Sequence, residues 1–265
     1  MSTDYSKVRP PTQLFDLTGK VAIVTGSTKG IGRGAVEGLA AAGATVVVSS
    51  RKQELCDQVA KEVEAATGSR ALPLACHVGD WDAIPEFVEQ VRNELGHIDV
   101  LVNNAGITPS RLTVSTMELG VWRKIFNVNL EGPLRMAQVV APIMREQGGG
   151  SIVNIASMGA YSGGPGVCAY AASKAALVNL TKSMAQEWAP WNIRVNVLSP
   201  GPFISEMVEG AERNAPGFKD LIANGTYQKR VADPAEIVGP VVYLASDASS
   251  FVTGDDISVS GGMHK

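Results

Sequence analysis

Seven short, mostly β-branched apolar runs separated by longer alanine-rich stretches constrain the fold of this chain more than any other feature. Val21-Ala22-Ile23-Val24-Thr25, Thr45-Val46-Val47-Val48-Ser49 and the stretch 71–76 form the first three. Asp99-Val100-Leu101-Val102, Ser151-Ile152-Val153-Asn154-Ile155, Arg194-Val195-Asn196-Val197-Leu198 and Asp256-Ile257-Ser258-Val259 follow. Apolar runs of this length without the polar alternation of a half-exposed strand fit parallel strands covered on both faces. Helices are predicted between them, near 32–42, 54–67 and 82–95. Strands alternating with helices of ten or more residues imply right-handed βαβ crossovers. The fold class predicted is therefore α/β, a doubly wound sheet. In such a sheet ligands bind at the carboxyl ends of the strands, near the switch in strand order.

No Pro/Ser-rich linker, charge block or composition break divides the 265 residues, so one domain over 14–265 is expected behind a polar tail, 1–13, carrying Asp4, Lys7 and Arg9. That opening lacks a secretory pattern. Lys and Arg total 23 against 26 Asp and Glu, a net charge of −3, which argues against a nucleic-acid partner that depends on phosphate neutralisation. No apolar run is long enough to suggest a membrane span. Cys56, Cys76 and Cys168 are odd in number and widely spaced, which fits a reducing, cytoplasmic setting better than a disulfide framework. His77, His97 and His264 show no ligand spacing, and no metal site is expected.

The first run leads directly into Thr25-Gly26-Ser27-Thr28-Lys29-Gly30-Ile31-Gly32. Gly26 allows a tight turn, Gly30 lets a pyrophosphate approach the backbone, and Gly32 permits close packing of the helix on the sheet. The following helix N-terminus offers unpaired N–H groups and the positive end of its dipole to a phosphate. The spacing is Gly-x3-Gly-x-Gly, distinct from the common Gly-x-Gly-x-x-Gly fingerprint. At the end of the second run, where an acidic residue holds a free ribose 2′-OH, stands Ser49-Ser50-Arg51-Lys52. A guanidinium there can pair with a 2′-phosphate, and Lys29 in the turn could add a second cation. These residues point to NADP(H) in preference to NAD(H), with Glu54 close enough to blur the argument.

Tyr170 and Lys174 lie four residues apart, so on a helix they project from one face, one turn apart. A nearby cation favours phenolate and suits a phenol to proton transfer near neutral pH.

The order Thr25-Gly26-x3-Gly30-Ile31-Gly32, Asn103-Asn104-Ala105-Gly106, Asn129, Ser157, Tyr170-x3-Lys174 and Pro200-Gly201 resembles the short-chain dehydrogenase/reductase family over nearly the whole chain. The resemblance is nearest to its gluconate-type and general carbonyl-reductase members, and Leu14-Phe15-Asp16-Leu17-Thr18-Gly19-Lys20 and the Pro-Gly-Pro-Phe turn contribute to it. It implies a Rossmann-type domain with a mostly parallel seven-stranded sheet, a nicotinamide cofactor and hydride transfer at a carbonyl or carbinol carbon. It also implies Tyr170 as general acid/base and Lys174 as the residue that lowers its pKa and holds the nicotinamide ribose. Ser157 would bind the substrate oxygen, and Asn129, rather than Asn127, would serve a proton relay. Cofactor contacts would come from Gly26, Ser27, Lys29, Gly30, Ile31 and Gly32, from Arg51, from the Val78 backbone, and from Asn104, Ala105 and Gly106 along the adenosine. Pro200, Gly201, Phe203 (through its backbone) and Ser205, in place of a usual threonine, would complete the site.

Three departures stand out. His77 takes the place of an adenine-contacting aspartate, Pro202 stiffens the segment that reaches the nicotinamide, and Cys168 precedes Tyr170 by two residues as a small pocket residue. The substrate, a small-molecule carbonyl or alcohol, would sit between 158–167 and a lid-like loop at about 203–227. The family implies a homotetramer built on the helices after the fourth and fifth strands and on the C-terminal strand region, to which Trp188 and Trp191 could add apolar area. Rival expectations are a catalytically silent NADPH sensor, an NAD-dependent sugar-acid or polyol dehydrogenase, and an enoyl reductase, in which Tyr and Lys stand further apart.

Overall fold

In the computed structural model, which describes residues 8–108 and 112–263, seven strands form one sheet in the order β3-β2-β1-β4-β5-β6-β7. They are β1 Val21–Thr25, β2 Thr45–Ser49, β3 Ala71–Pro73, β4 Val100–Asn103, β5 Gly150–Ile155, β6 Ile193–Pro200 and β7 Asp256–Val259. Every adjacent pair is parallel. The helices are α1 Pro11–Leu14, α2 Gly30–Ala41, α3 Gln53–Thr67, α4 Ile84–Leu95, α5 Leu119–Phe126, α6 Gly132–Glu146, α7 Cys168–Trp188, α8 Glu206–Asn214, α9 Phe218–Asn224 and α10 Val238–Ala245.

Strand alternation explains why both faces are covered. Ala22, Val24, Val46, Val48, Val100, Val102, Val153 and Ile155 project to one side and pack with residues of α2, α3 and α10. Ile23, Val47, Leu101 and Ile152 project to the other and meet residues of α4, α6 and α7. All five residues of β1 are buried. Each fully buried Val or Ile contributes about 1.5–3 kcal/mol from burial, so an unalternating apolar run is stable only between two helical layers.

The third strand is shorter than the predicted 71–76. Pro73 has no N–H to donate, and the Gln53 side chain takes its carbonyl (3.1 Å) and accepts from the Ala75 N–H (2.8 Å). The chain still runs beside β2, with Leu74 N–H on Val48 O and Cys76 N–H on Ser50 O. Residues 1–7 of the expected tail, and His264, lie outside the described residues. The rest of the tail is anchored: α1 forms a single turn and Arg9 pairs with Asp247 at 3.0 Å. Trp188 is buried in the core and stacks on half-buried Trp191, over which the Arg145 guanidinium lies.

The strand order turns back between β1 and β4. Their carboxyl ends, Thr25 and Asn103, open into the crevice where the glycine turn and the Asn-Asn-Ala-Gly segment meet.

Candidate active site

Thr25 organises that crevice. Its hydroxyl accepts the N–H groups of both Asn104 (3.0 Å) and Ala105 (3.1 Å). The Asn104 side-chain amide donates back to the carbonyls of Thr25 (2.9 Å) and Gly26 (3.1 Å). Gly26 has φ +65°, and a Cβ there would stand 2.9 Å from the Ala105 Cα. A Cβ on Gly32 would overlap the Asn104 amide and the Gly26 carbonyl. Gly32 thus makes room for the asparagine that braces the turn, and the Asn104 side chain supports the cradle. Gly32→Ala is expected to destabilise the chain by about 1–3 kcal/mol, the cost of overpacking a tight site. Urea denaturation checks this; an unchanged midpoint would mean the turn relaxes freely.

Gly30, at φ +54°, has open space where a side chain would be, with Ser205 Cβ its nearest neighbour at 3.9 Å. The N-terminus of α2 follows, and the Lys29 side chain does not cap it. Open backbone beside uncapped N–H groups fits a pyrophosphate. Ser27, expected to touch the cofactor, is fully buried, and its hydroxyl accepts from the Ser49 N–H at 2.9 Å, tying the turn to β2. Ile31 packs against the core. Arg51 is exposed just beyond β2, without an ion-pair partner among the described residues. Lys29, expected to add a second cation for a 2′-phosphate, forms an ion pair with Glu206 at the start of α8. His77 turns its Nδ1 to the Gly79 N–H (3.0 Å), while Val78 is buried against Gly132.

The proton-transfer candidates sit at the end of β5 and on α7. Ser157 accepts from the Gly159 N–H (3.0 Å), and its side chain stands near enough to the Tyr170 phenol to lower the pKa of that group. Lys174 is buried, donates to the Ile155 carbonyl at 2.7 Å and lies 6.0 Å from the centre of the Tyr170 ring. Burial pushes the phenol above its ordinary pKa, and the Ser157 side chain pulls it partly back. Burial also brings the ammonium down, to about 8. The desolvation acting on the phenol is the larger effect, and the same burial weakens the hold of the ammonium on its own proton.

Asn129 is fully buried in a π-helical segment, Asn127–Glu131, that joins α5 to α6. Such one-turn bulges recur at functional sites. Its side chain accepts from Ile107 N–H (2.8 Å) and donates to Ile107 O (2.9 Å) and Ser173 Oγ (3.1 Å). Ser173 in turn donates to the Tyr170 carbonyl at 2.7 Å. The missing side chain of Gly106 leaves a gap bordered by Lys174 Nζ and Asn129 Oδ1. Asn127 instead turns its oxygen toward Gly79. Thr25 and Ser173 were not read as site residues from the sequence; their hydroxyl roles follow from backbone groups that only the fold brings near.

Pro200 closes β6 against Val259, and Gly201 lets Ser260 cross within 2.8 Å of where a Cβ would stand. Phe203 bridges Ala232, with Ala232 N–H on Pro202 O and Ile204 N–H on Ala232 O, both 2.9 Å. Phe203's own N–H and C=O take no part in the bridge. Ser205 caps α8 by accepting from Val208 N–H at 3.3 Å. A cavity of about 660 Å³ lies on the outer side of α7, lined by Val114, Tyr161, Pro165, Cys168 and Ala172 among others. Ser157, Tyr170 and Lys174 do not line it, and neither does the segment 203–227. Among the described residues no three His, Cys, Asp or Glu side chains converge as a metal site, and no helix is long and apolar enough to cross a membrane.

A glycine cradle at the switch point beside a neighbouring serine and tyrosine and a buried lysine is the arrangement of a dinucleotide-dependent class of site. A family model described as enoyl-(acyl carrier protein) reductase matches residues 26–264. The 3-oxoacyl-[acyl-carrier-protein] reductase of Thermotoga maritima is 40% identical over 247 residues, covering 93% of this chain and 98% of the relative. The 2-dehydro-3-deoxy-D-gluconate 5-dehydrogenase of Escherichia coli is 38% identical over 254 residues, covering 94% and 96%. Among solved structures, a gluconate 5-dehydrogenase of Burkholderia cenocepacia in complex with NADP and tartrate superposes with TM-score 0.91 at 34% identity, covering 96% and 98%. The chain belongs to the short-chain dehydrogenase/reductase family, nicotinamide-dependent enzymes acting on CH–OH and C=O groups.

Proposed function

We propose that this chain is an NADP(H)-dependent carbonyl reductase and secondary-alcohol dehydrogenase with Tyr170 as its general acid/base. The observation that carries this reading is the Tyr170 phenol beside Ser157 and one turn from buried Lys174, whose ammonium borders the gap at Gly106 next to the glycine cradle. The nicotinamide, when bound, supplies or accepts the hydride. Tyr170 gives its proton to the carbonyl oxygen as charge develops there, and Ser157 donates a second hydrogen bond to the same oxygen. Lys174 and Asn129 border the gap at Gly106, on the route by which the phenol regains a proton. The four-residue spacing of Tyr170 and Lys174 supports carbonyl chemistry over the double-bond reduction named in the matched family description.

The NADP(H) preference rests on Arg51, exposed and unpaired at the end of β2, with no carboxylate in the strand end to oppose a 2′-phosphate. Assembly as a homotetramer belongs to the same proposal. Of the two substrate classes named for the relatives, sugar acids and 3-oxoacyl thioesters, either would present the carbonyl that Tyr170 and Ser157 address. The test is cofactor consumption with sugar acids, ketoacyl thioesters, steroids and simple ketones, each with both nicotinamides. Turnover of none, with NADPH still bound, would leave a sensor. Arg51→Asp is expected to raise the KM for NADPH roughly 10- to 100-fold, as loss of a charge-assisted bond implies, with little change for NADH. Equal shifts for the two cofactors would refute the assignment.

A further inference from the structure

Glu206 holds the lysine that the cofactor reading assigns to the 2′-phosphate. Lys29 occupies the N-cap position of α2 inside the glycine turn, and its ammonium pairs with the Glu206 carboxylate. Glu206 is the first residue of α8, and its neighbour Ser205 lies 3.9 Å from the Cβ position of Gly30. The first turn of α8 therefore stands directly over the phosphate cradle.

The rest of this segment is tied mainly to itself. Lys219 pairs with Glu209 at 2.6 Å, and Glu212 accepts the N–H groups of Gly217 (3.0 Å) and Lys219 (2.7 Å). Its two ends are pinned, by the Phe203–Ala232 bridge on one side and by Gln228 N–H on Gly261 O (3.1 Å) on the other. Between those pins, Lys29–Glu206 is the one ion pair, among the described residues, that attaches α8 and α9 to the body of the fold. It fastens a lid to the cofactor site, and it does so with a residue the cofactor needs.

We propose that Glu206 is a specificity-determining residue that competes with the 2′-phosphate for Lys29, so that NADP(H), and not NAD(H), releases the first turn of α8. The proposal rests on the 2′-phosphate reading above and deepens it. A 2′-phosphate brings roughly two further negative charges, enough to draw the flexible ammonium from a single carboxylate. Glu206 then faces the phosphates without its cation, and like-charge repulsion moves α8 off the cradle. NAD(H) shares the pyrophosphate but brings no 2′-phosphate to Lys29, and the latch stays closed. Both side chains are more than half exposed, so the competition is modest; an exposed ion pair is worth a factor of about two to five in an equilibrium.

Calorimetric titration with NADP+ and NAD+, without substrate, tests this on wild type, Glu206→Gln, Lys29→Met and the double variant. Glu206→Gln is expected to tighten NADP+ roughly threefold, leave NAD+ unchanged, and have no effect in the Lys29→Met background. Amide hydrogen exchange across 206–214 is expected to be faster in the NADP+ complex than in the NAD+ complex. A shift of both cofactors alike, or one that persists without Lys29, overturns the proposal, as does equal exchange in the two complexes. If NADP+ affinity depends on Lys29 but is unmoved by Glu206→Gln, only the role of Glu206 fails. If Lys29→Met and Arg51→Asp both leave NADP+ binding untouched, the 2′-phosphate reading itself fails, and the proposal falls with it.

Discussion

Tyr170→Phe is expected to lower carbonyl turnover by roughly 10²–10⁴-fold, the contribution of a positioned general acid, while calorimetric affinity for the nicotinamide is retained. The substitution keeps the ring against its neighbours and removes only the oxygen that meets Ser157. The direction of the pKa shift adds a pH dependence. Burial holds the phenol protonated beyond its ordinary range, so the acid needed for reduction is present throughout neutral pH. Oxidation of an alcohol needs the phenolate, so its rate should climb as pH rises toward and past 10, the ordinary value for the phenol. Reduction should stay flat and then fall over the same range. Near-normal turnover by Tyr170→Phe, or an oxidation rate that is flat to pH 10, would remove Tyr170 from the chemistry.

How much of this could be read from the sequence depends on whether the information was local. The strands were legible because parallel strands covered on both faces must be continuously apolar. The runs at 21–25, 45–49 and 256–259 match β1, β2 and β7 residue for residue. β3 ended early because a side chain twenty positions upstream, Gln53, took over the hydrogen bonds of the chain near Pro73. The positions of Tyr170 and Lys174 on one helix face followed from spacing alone. Partnerships between distant segments did not. Ser27 and Asn104 belong to the cofactor motif, and the fold gives each a bracing task that spacing does not show, on backbone brought close by the sheet. The Glu206 partner of Lys29, 177 residues away, is equally invisible in the local sequence. Spacing likewise shows that a cation is near the phenol, whereas desolvation depends on everything else packed around the pair.

Lys174 gives the second large expected effect, because burial sets its contributions to activity and to stability against each other. Its folded pKa of about 8 lies below the ordinary 10.5 that the unfolded chain retains. The folded state therefore disfavours the protonated lysine, and below pH 8 that burden on stability is fully present. Between about 8 and 10.5 the unfolded chain binds more protons than the folded one, so stability rises with pH in that window. Lys174→Met removes the buried charge and also the 2.7 Å bond to the Ile155 carbonyl. At 1.36 kcal/mol per pKa unit the charge costs about 3 kcal/mol near neutral pH, and leaving the carbonyl unpartnered costs about 1 kcal/mol or more. The net expectation is a gain of about 1–2 kcal/mol in urea denaturation at pH 7, shrinking toward zero or reversing as pH approaches 10. Turnover should meanwhile fall to the level of Tyr170→Phe. A loss of stability at pH 7 that does not vary with pH would mean the ammonium is held by partners that offset its burial. A gain that fades on the alkaline side, with activity lost throughout, would mean that the chain keeps a charged lysine on α7 against its own stability, as the proposed proton-transfer role requires.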